Sequence, residues 1–137
     1  MRARIIVHSL QQAEAALAAA EALAVPVTLA SAEGAGAYAG PRWFLAVMAQ
    51  AARAHPGATF DAVIDCADEA GTALAALRAG ATRVRFRGAA EAREKLAAIA
   101  AALGAAIEDE SPPALDLLNE RDPLAASQAW LSDAGRR

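Results

Sequence analysis

His8, Asp65, Arg85 and Arg87 are the side chains whose types and placing suit chemistry in this sequence. Each follows or ends a short apolar run of β character: Ile5-Ile6-Val7 before His8, Ala62-Val63-Ile64 before Asp65, and the alternating Arg83-Val84-Arg85-Phe86-Arg87. In parallel α/β folds the working residues lie beyond the carboxyl ends of the strands. An imidazole, a carboxylate and two guanidinium groups there would suit proton transfer on an anionic substrate, with His8 and Asp65 as the catalytic pair. The same residues have a plainer reading, in which Asp65 neutralises Arg85 or Arg87 on a partly buried strand face and His8 takes no part. Gly88 adds an anion site beside Arg85 and Arg87. It opens a helix, so free backbone N–H groups and the helix dipole join the guanidinium groups there. Whether the chain is an enzyme is left open by these residues.

Other chemistries find less support. The loop Glu33-Gly34-Ala35-Gly36 contains G-x-G, but no third glycine follows at the dinucleotide spacing, and it comes after the second strand, not the first. No G-x-x-x-x-G-K-[ST] occurs, and Lys95 is the only lysine. Metal ligation by His8, Asp65 and Asp68 would need a third good donor, which the sequence does not place. By strand alternation Cys66 points to the helix side and reads as a small buried hydrophobe. His55 reads as a favourable charge at the end of a helix. No metal or cofactor is expected.

The elements that must position these residues follow in chain order. Ile5–Val7 is a first strand, and Ser9 with Gln12 forms a capping box for the helix after it. Val25–Ala30 is the second strand, with Pro26 at its start. After a glycine-rich loop, Pro41 opens a helix running to about Arg53, which is apolar on nearly every side through Trp43, Phe44, Leu45, Val47 and Met48. Ala62–Asp65, a helix capped by Asp68 and closed by Gly80, and Arg83–Phe86 make one βαβ unit. A helix over Ala89–Leu103 carries a stripe of Ala92, Leu96, Ile99 and Leu103, and Ala105–Ile107 is a weak fifth strand.

Strand alternating with helix at this spacing predicts an α/β fold of four to five βα units with a parallel sheet. On one strand face Ile5, Val7, Val27, Leu29, Ala62, Ile64, Val84 and Phe86 are all apolar. The other, with Arg4, His8, Thr28, Asp65, Arg83, Arg85 and Arg87, is mixed and charged. Helices on one face only would suit that contrast, which favours a half-(βα)8-barrel-like arrangement over a doubly wound, flavodoxin-like one. The βα repeats occupy 1–110. From Ser111-Pro112-Pro113 the character changes to a C-terminal helical tail, 111–137, in which Leu115–Leu118 make at most a short turn. The last four residues are expected to fray.

The stretch Leu74-Ala75-Ala76-Leu77-Arg78-Ala79-Gly80-Ala81, followed by Arg83-Val84-Arg85-Phe86-Arg87-Gly88, resembles late βα units of phosphate-binding (βα)8-barrel enzymes such as the 2-keto-3-deoxy-6-phosphogluconate aldolases. The resemblance covers about 30 residues. It implies the same fold class and an anion site near Gly88. Those aldolases form a Schiff base on a strand-borne lysine, and Lys95 lies mid-helix, so their activity does not carry over.

The totals set outer limits. A chain of 137 residues can bury a core of its own. A net charge of −3 argues against a nucleic-acid or anionic-membrane partner. One cysteine, no membrane-length apolar run and an N-terminal apolar stretch too short for a signal peptide point to the cytoplasm. The excess of alanine, and of arginine over lysine, reads as the coding bias of a GC-rich bacterial genome. Alanine favours helix but buries little area, so the larger side chains must carry the core. Trp43, Phe44, Met48, Trp130 and the tail leucines are then either core or the interface of a homodimer, which would cover an open sheet. Two functions stay in view: binding an anionic or phosphorylated small molecule at the strand ends, and a non-catalytic interaction domain.

Overall fold

In the computed structural model, residues 2–110 and 112–135 are described. Six strands, β1 (Ala3–Ile6), β2 (Val27–Ala30), β3 (Phe60–Asp65), β4 (Arg83–Arg85), β5 (Ala106–Glu108) and β6 (Ala114–Asp116), form a parallel sheet in the order β5-β4-β3-β2-β1-β6. The helices are α1 (Leu10–Leu23), α2 (Ala35–Tyr38), α3 (Pro41–Ala54), α4 (Ala70–Arg78), α5 (Ala90–Ala102) and α6 (Pro123–Gly135). The fold is thus α/β with a parallel sheet of βα units. Strands β1 to β5 follow one another in chain order, without the reversal after the first strand that a flavodoxin-like sheet makes. The chain divides into two compact units, Met1–Ala30 with Val47–Asp61 and Pro112–Arg137, and Ser31–Ala46 with Ala62–Ser111.

In the first unit, β1 pairs with β2 through Ile5 and Leu29, and with β6 through Ile6 and Asp116. The segment expected to be a turn at Leu115–Leu118 begins instead as this sixth strand. Three residues, of which only Leu115 is a large apolar side chain, carry too little period-2 pattern to be read as a strand from sequence, and pairing with β1 supplies what the pattern lacks. Helix α1 begins at Ser9, whose Oγ accepts the Gln12 N–H at 3.2 Å. The other half of the capping box is displaced by one residue, because the Gln12 side-chain oxygen accepts the N–H of His8, at 2.7 Å, and not that of Ser9. Ala13, Ala16, Leu17 and Ala20 are buried on one side of α1, and α6 packs against this helix. Small side chains let two helix backbones approach closely, so an alanine-rich helix can build a core despite its small area per residue. Leu17, Leu117 and Leu131 fill what remains and are fully buried.

In the second unit, β3 pairs with β4 through Ile64–Val84 and Asp65–Arg85, and β4 with β5 through Val84–Ile107 and Arg85–Glu108. The connections through α4 and α5 both advance in the same direction. Right-handed crossovers therefore put the two helices on one face, and they pack against each other. Ile64, Val84 and Phe86 are buried, and Asp65 and Arg85 alternate with them. The buried side of α5 is Leu96 and Ala100, while Ile99 and Leu103 of the expected stripe are exposed. Asp68 does not cap α4: the N-cap is Glu69, with no side-chain hydrogen bond. Gly80 takes the expected left-handed conformation, φ 105°.

Helix α3 is not apolar all round in its setting. Phe44, Met48 and Ala51 form a single buried stripe, and Trp43 is 44% exposed. Part of the strand face expected to lie open is buried: Arg4 and Thr28 in the first unit and Asp65 in the second are inaccessible to solvent or nearly so, while Arg83 and Arg85 are half-buried and Arg87 is exposed. Pairing allows this. Thr28 Oγ1 donates to Asp61 Oδ1 at 2.6 Å, and Arg2 lies 3.5 Å from the same carboxylate oxygen. Met1, Ser111, Arg136 and Arg137 fall outside the described residues, and so does the fraying expected of the last two, whereas Ala134 and Gly135, also expected to fray, continue α6.

On α6, Ser127 is fully buried and its hydroxyl has no hydrogen-bond partner. Desolvating an unpaired hydroxyl costs about 1–3 kcal/mol. Ser127→Ala should therefore raise stability by about 1 kcal/mol, read as a higher urea midpoint with unchanged slope. A lower midpoint would mean that the hydroxyl is bonded.

Candidate functional site

The residues that converge in the second unit lie at the carboxyl ends of β3 and β4 and in the loop that opens with Ser31. Asp65 is their centre. Its Oδ1 accepts the N–H of Ala67 at 2.8 Å and of Gly34 at 3.0 Å, and its Oδ2 lies 3.3 Å from Arg85 Nη1. Its own N–H donates to Ser31 Oγ at 2.8 Å, and that hydroxyl donates to the Ala32 carbonyl. The carboxylate is buried, and four neighbours hold the residue in place. It is built to stay still.

Sequence adjacency explains the local form. An aspartate that bonds the N–H two residues on makes an Asx turn, and this one places Ala67 in the left-handed region, φ 49°. For a residue with a Cβ that conformation costs roughly 1–2 kcal/mol. The Ala67 carbonyl is thereby aimed at Arg87, whose N–H donates to it at 2.8 Å. The backbone under Arg87 is thus fixed by the same carboxylate that neutralises Arg85. The Arg85 Nε is buried with no acceptor.

Arg87 itself is exposed and pairs with Glu33. The hydrogen bond and charge of Arg87 lower the Glu33 pKa below its ordinary 4.5, with Arg85 adding to the effect. The Arg87 pKa is raised chiefly by its hydrogen bond to Glu33, with smaller contributions from Asp65 and Asp68. Gly88 is dictated by packing, because a Cβ there would lie 2.3 Å from the Phe86 ring. The ring occupies the space on that side of Gly88. The helix that follows, α5, starts at Ala89 with no side-chain cap and has Glu91 in its first turn, a charge that opposes an anion.

Cys66 is fully buried, and burial pushes its thiol up to about 12. A Cβ on Gly36 would meet Cys66 Sγ at 2.9 Å, so loop and thiol are in close contact. A neutral thiol so enclosed is neither a nucleophile nor a ligand.

His8 belongs to the first unit and has a different carboxylate for a partner. Its Nε2 lies 2.7 Å from Asp116 Oδ1, which also accepts the Leu118 N–H at 2.9 Å. Gln12 Nε2 donates to the Leu117 carbonyl at 3.0 Å, so two side chains of the β1–α1 turn hold the end of β6. The structure therefore commits Asp65 to Arg85 and His8 to Asp116. Asp116 lay in a segment whose strand character was hidden, which is why no sequence signal joined it to His8. Among the described residues no group of three His, Cys, Asp or Glu could hold a metal. A cleft of about 370 Å³ in the first unit runs past Ala20, Glu21, Val25, Pro26 and Gly57, before the start of β2. Its one carboxylate, Glu21, is taken up by the Gly57 N–H at 2.7 Å and by His55 at 3.6 Å.

Removing one partner of a buried pair leaves an uncompensated charge. Asp65→Ala and Arg85→Met should each cost about 3–5 kcal/mol, because each strands the other charge, and Asp65→Ala should also release the Ala67 turn. Urea unfolding of both variants and of the double variant checks this: the double variant should lose less than the two single losses added together, and simple addition would mean that the pair is not the keystone. The raised Cys66 pKa has a definite sign. The native thiol holds its proton up to about 12, whereas in the unfolded chain it ionises above about 8.5. Stability from this group is complete below the unfolded value and is lost as pH climbs toward the native one. Wild type should lose stability between pH 9 and 11 faster than Cys66→Ala, and iodoacetamide at pH 8 should modify Cys66 no faster than the protein unfolds.

Set against known proteins, the chain matches no family model and no curated protein.

Proposed function

We propose that the protein binds a small molecule through an anionic group at the carboxyl ends of β3 and β4, with Arg87 as the primary contact and Arg85 behind it. The observation that carries this reading is the asymmetry of the Arg87–Glu33 pair. The arginine backbone is tied to Ala67, and through Ala67 to buried Asp65, while the glutamate side chain is 69% exposed. Exposed ion pairs contribute about 0–1 kcal/mol, so a ligand oxygen can replace Glu33 on the guanidinium at small cost. Arg85 Nε adds a donor with no acceptor of its own. Asp65 serves as a positioning residue, since its oxygens are already engaged. The reading is of binding, and chemistry on the ligand would need a further group.

A second reading, a non-catalytic association module, is favoured by one observation. Tyr38 is 72% exposed and Trp43 44%, an aromatic surface unusual in a chain with few aromatic residues. We place a second copy of this chain there, and sedimentation velocity separates the readings. A concentration-dependent dimer lost in Trp43→Ala would favour association, and a monomer at every concentration would remove it.

The binding reading is tested by following backbone and arginine side-chain NMR signals during titration with acetate and with inorganic phosphate at low salt. Saturable shifts centred on Arg87, weakened by added sodium chloride and abolished by Arg87→Ala, are the expected result. Shifts that are not centred on Arg87, or an unchanged response in Arg87→Ala, would end the proposal.

A further inference from the structure

The charges around Arg87 narrow the class of ligand, on the premise that the binding reading above is right. Arg87 pairs with Glu33 and Arg85 with Asp65. Asp65 and Asp68 also act on the Arg87 guanidinium. The cluster therefore sets three carboxylates against two guanidinium groups. An anion that takes Arg87 must displace Glu33, which is left unpaired while the ligand adds negative charge to a cluster already in excess. A phosphate dianion makes that imbalance worst.

We infer that the ligand is a small zwitterion of the amino-acid class, its carboxylate received by Arg87 and its ammonium by Glu33. Such a molecule divides the resident ion pair between its own two charges, so Arg87 and Glu33 each keep a partner and the net charge does not change. The loop is suited to the exchange. Glu33 is followed by Gly34 in the left-handed region, φ 72°, and the Gly34 N–H is anchored on Asp65 Oδ1, so the glutamate side chain can swing from a fixed base. The carboxylate recognises through a planar guanidinium, where two parallel hydrogen bonds are available, and the ammonium through an oxygen pair. The exposed setting keeps affinity weak, in the millimolar range expected where water competes for each contact.

Glycine, acetate and inorganic phosphate, each titrated into the full chain and read at the Arg87 Nε–Hε resonance, test the inference. Glycine should bind about tenfold more tightly than acetate or phosphate to the wild type. Glu33→Gln, which keeps the side-chain size and removes the acceptor charge, should reverse the order by weakening glycine and strengthening acetate. If acetate or phosphate binds as tightly as glycine and Glu33→Gln leaves the order as it was, the zwitterion inference falls and the anion reading stands. If none of the three moves the Arg87 resonance, both fall together.

Discussion

The buried contact between Asp65 and Arg85 is the constraint on which the second unit turns. Neighbouring positions on parallel strands put the two side chains on one face, with Asp65 opposite Arg85 in register, and burial makes each necessary to the other. Burying either charge alone would cost several kcal/mol, so the pair is retained as a unit or lost as one. A pair of this kind adds little net stability compared with an apolar substitute. What it supplies is direction. The second oxygen of Asp65 gathers the N–H groups of Gly34 and Ala67, and so one carboxylate sets the glycine loop, the left-handed turn after β3 and, through the Ala67 carbonyl, the backbone of Arg87.

Burial of Asp65 and of Ser31 beside it changes what those residues can do. Charged side chains on an open face would be solvated and free to meet a substrate. Here Asp65 and Ser31 have spent their hydrogen-bonding capacity on backbone and on each other. Reactive roles require spare capacity, and the groups that keep it are Arg87 and Glu33, at the exposed edge of the network. The same logic separates His8 from Asp65. An imidazole whose Nε2 is held by Asp116, itself held by a backbone N–H, takes its part in tying β6 to β1.

Much of this was legible in the sequence, and for identifiable reasons. Alternating apolar and charged residues in Arg83-Val84-Arg85-Phe86-Arg87 and in Ala62-Val63-Ile64-Asp65 set the strand phase, and the phase alone put Asp65 beside Arg85 and Cys66 on the helix side. Gly80 marked the end of α4 because only glycine tolerates its conformation cheaply. The misreadings share a cause. Strand β6 is too short for a period to show, and the buried side of α5 is set by Leu96 and Ala100, which an alanine-rich helix cannot distinguish from its other faces. Of the capping box expected at Ser9 and Gln12 only the Ser9 half forms, because the reach of the glutamine side chain lets it bond the His8 N–H instead.

Gly88 shows why a motif at a strand end needs its neighbours before it can be given a function. A glycine opening a helix after an arginine reads as a phosphate cradle, because the missing side chain leaves room for an anion over free N–H groups. The ring of Phe86 fills that room, and with Glu91 in the first helical turn the local field does not favour a dianion. The glycine is thus required by the core beneath it. On the proposed reading, recognition passes outward to the guanidinium of Arg87, where an acid already waits, and a site that carries its own counter-charge is better matched to a ligand bearing both signs than to one bearing only the negative.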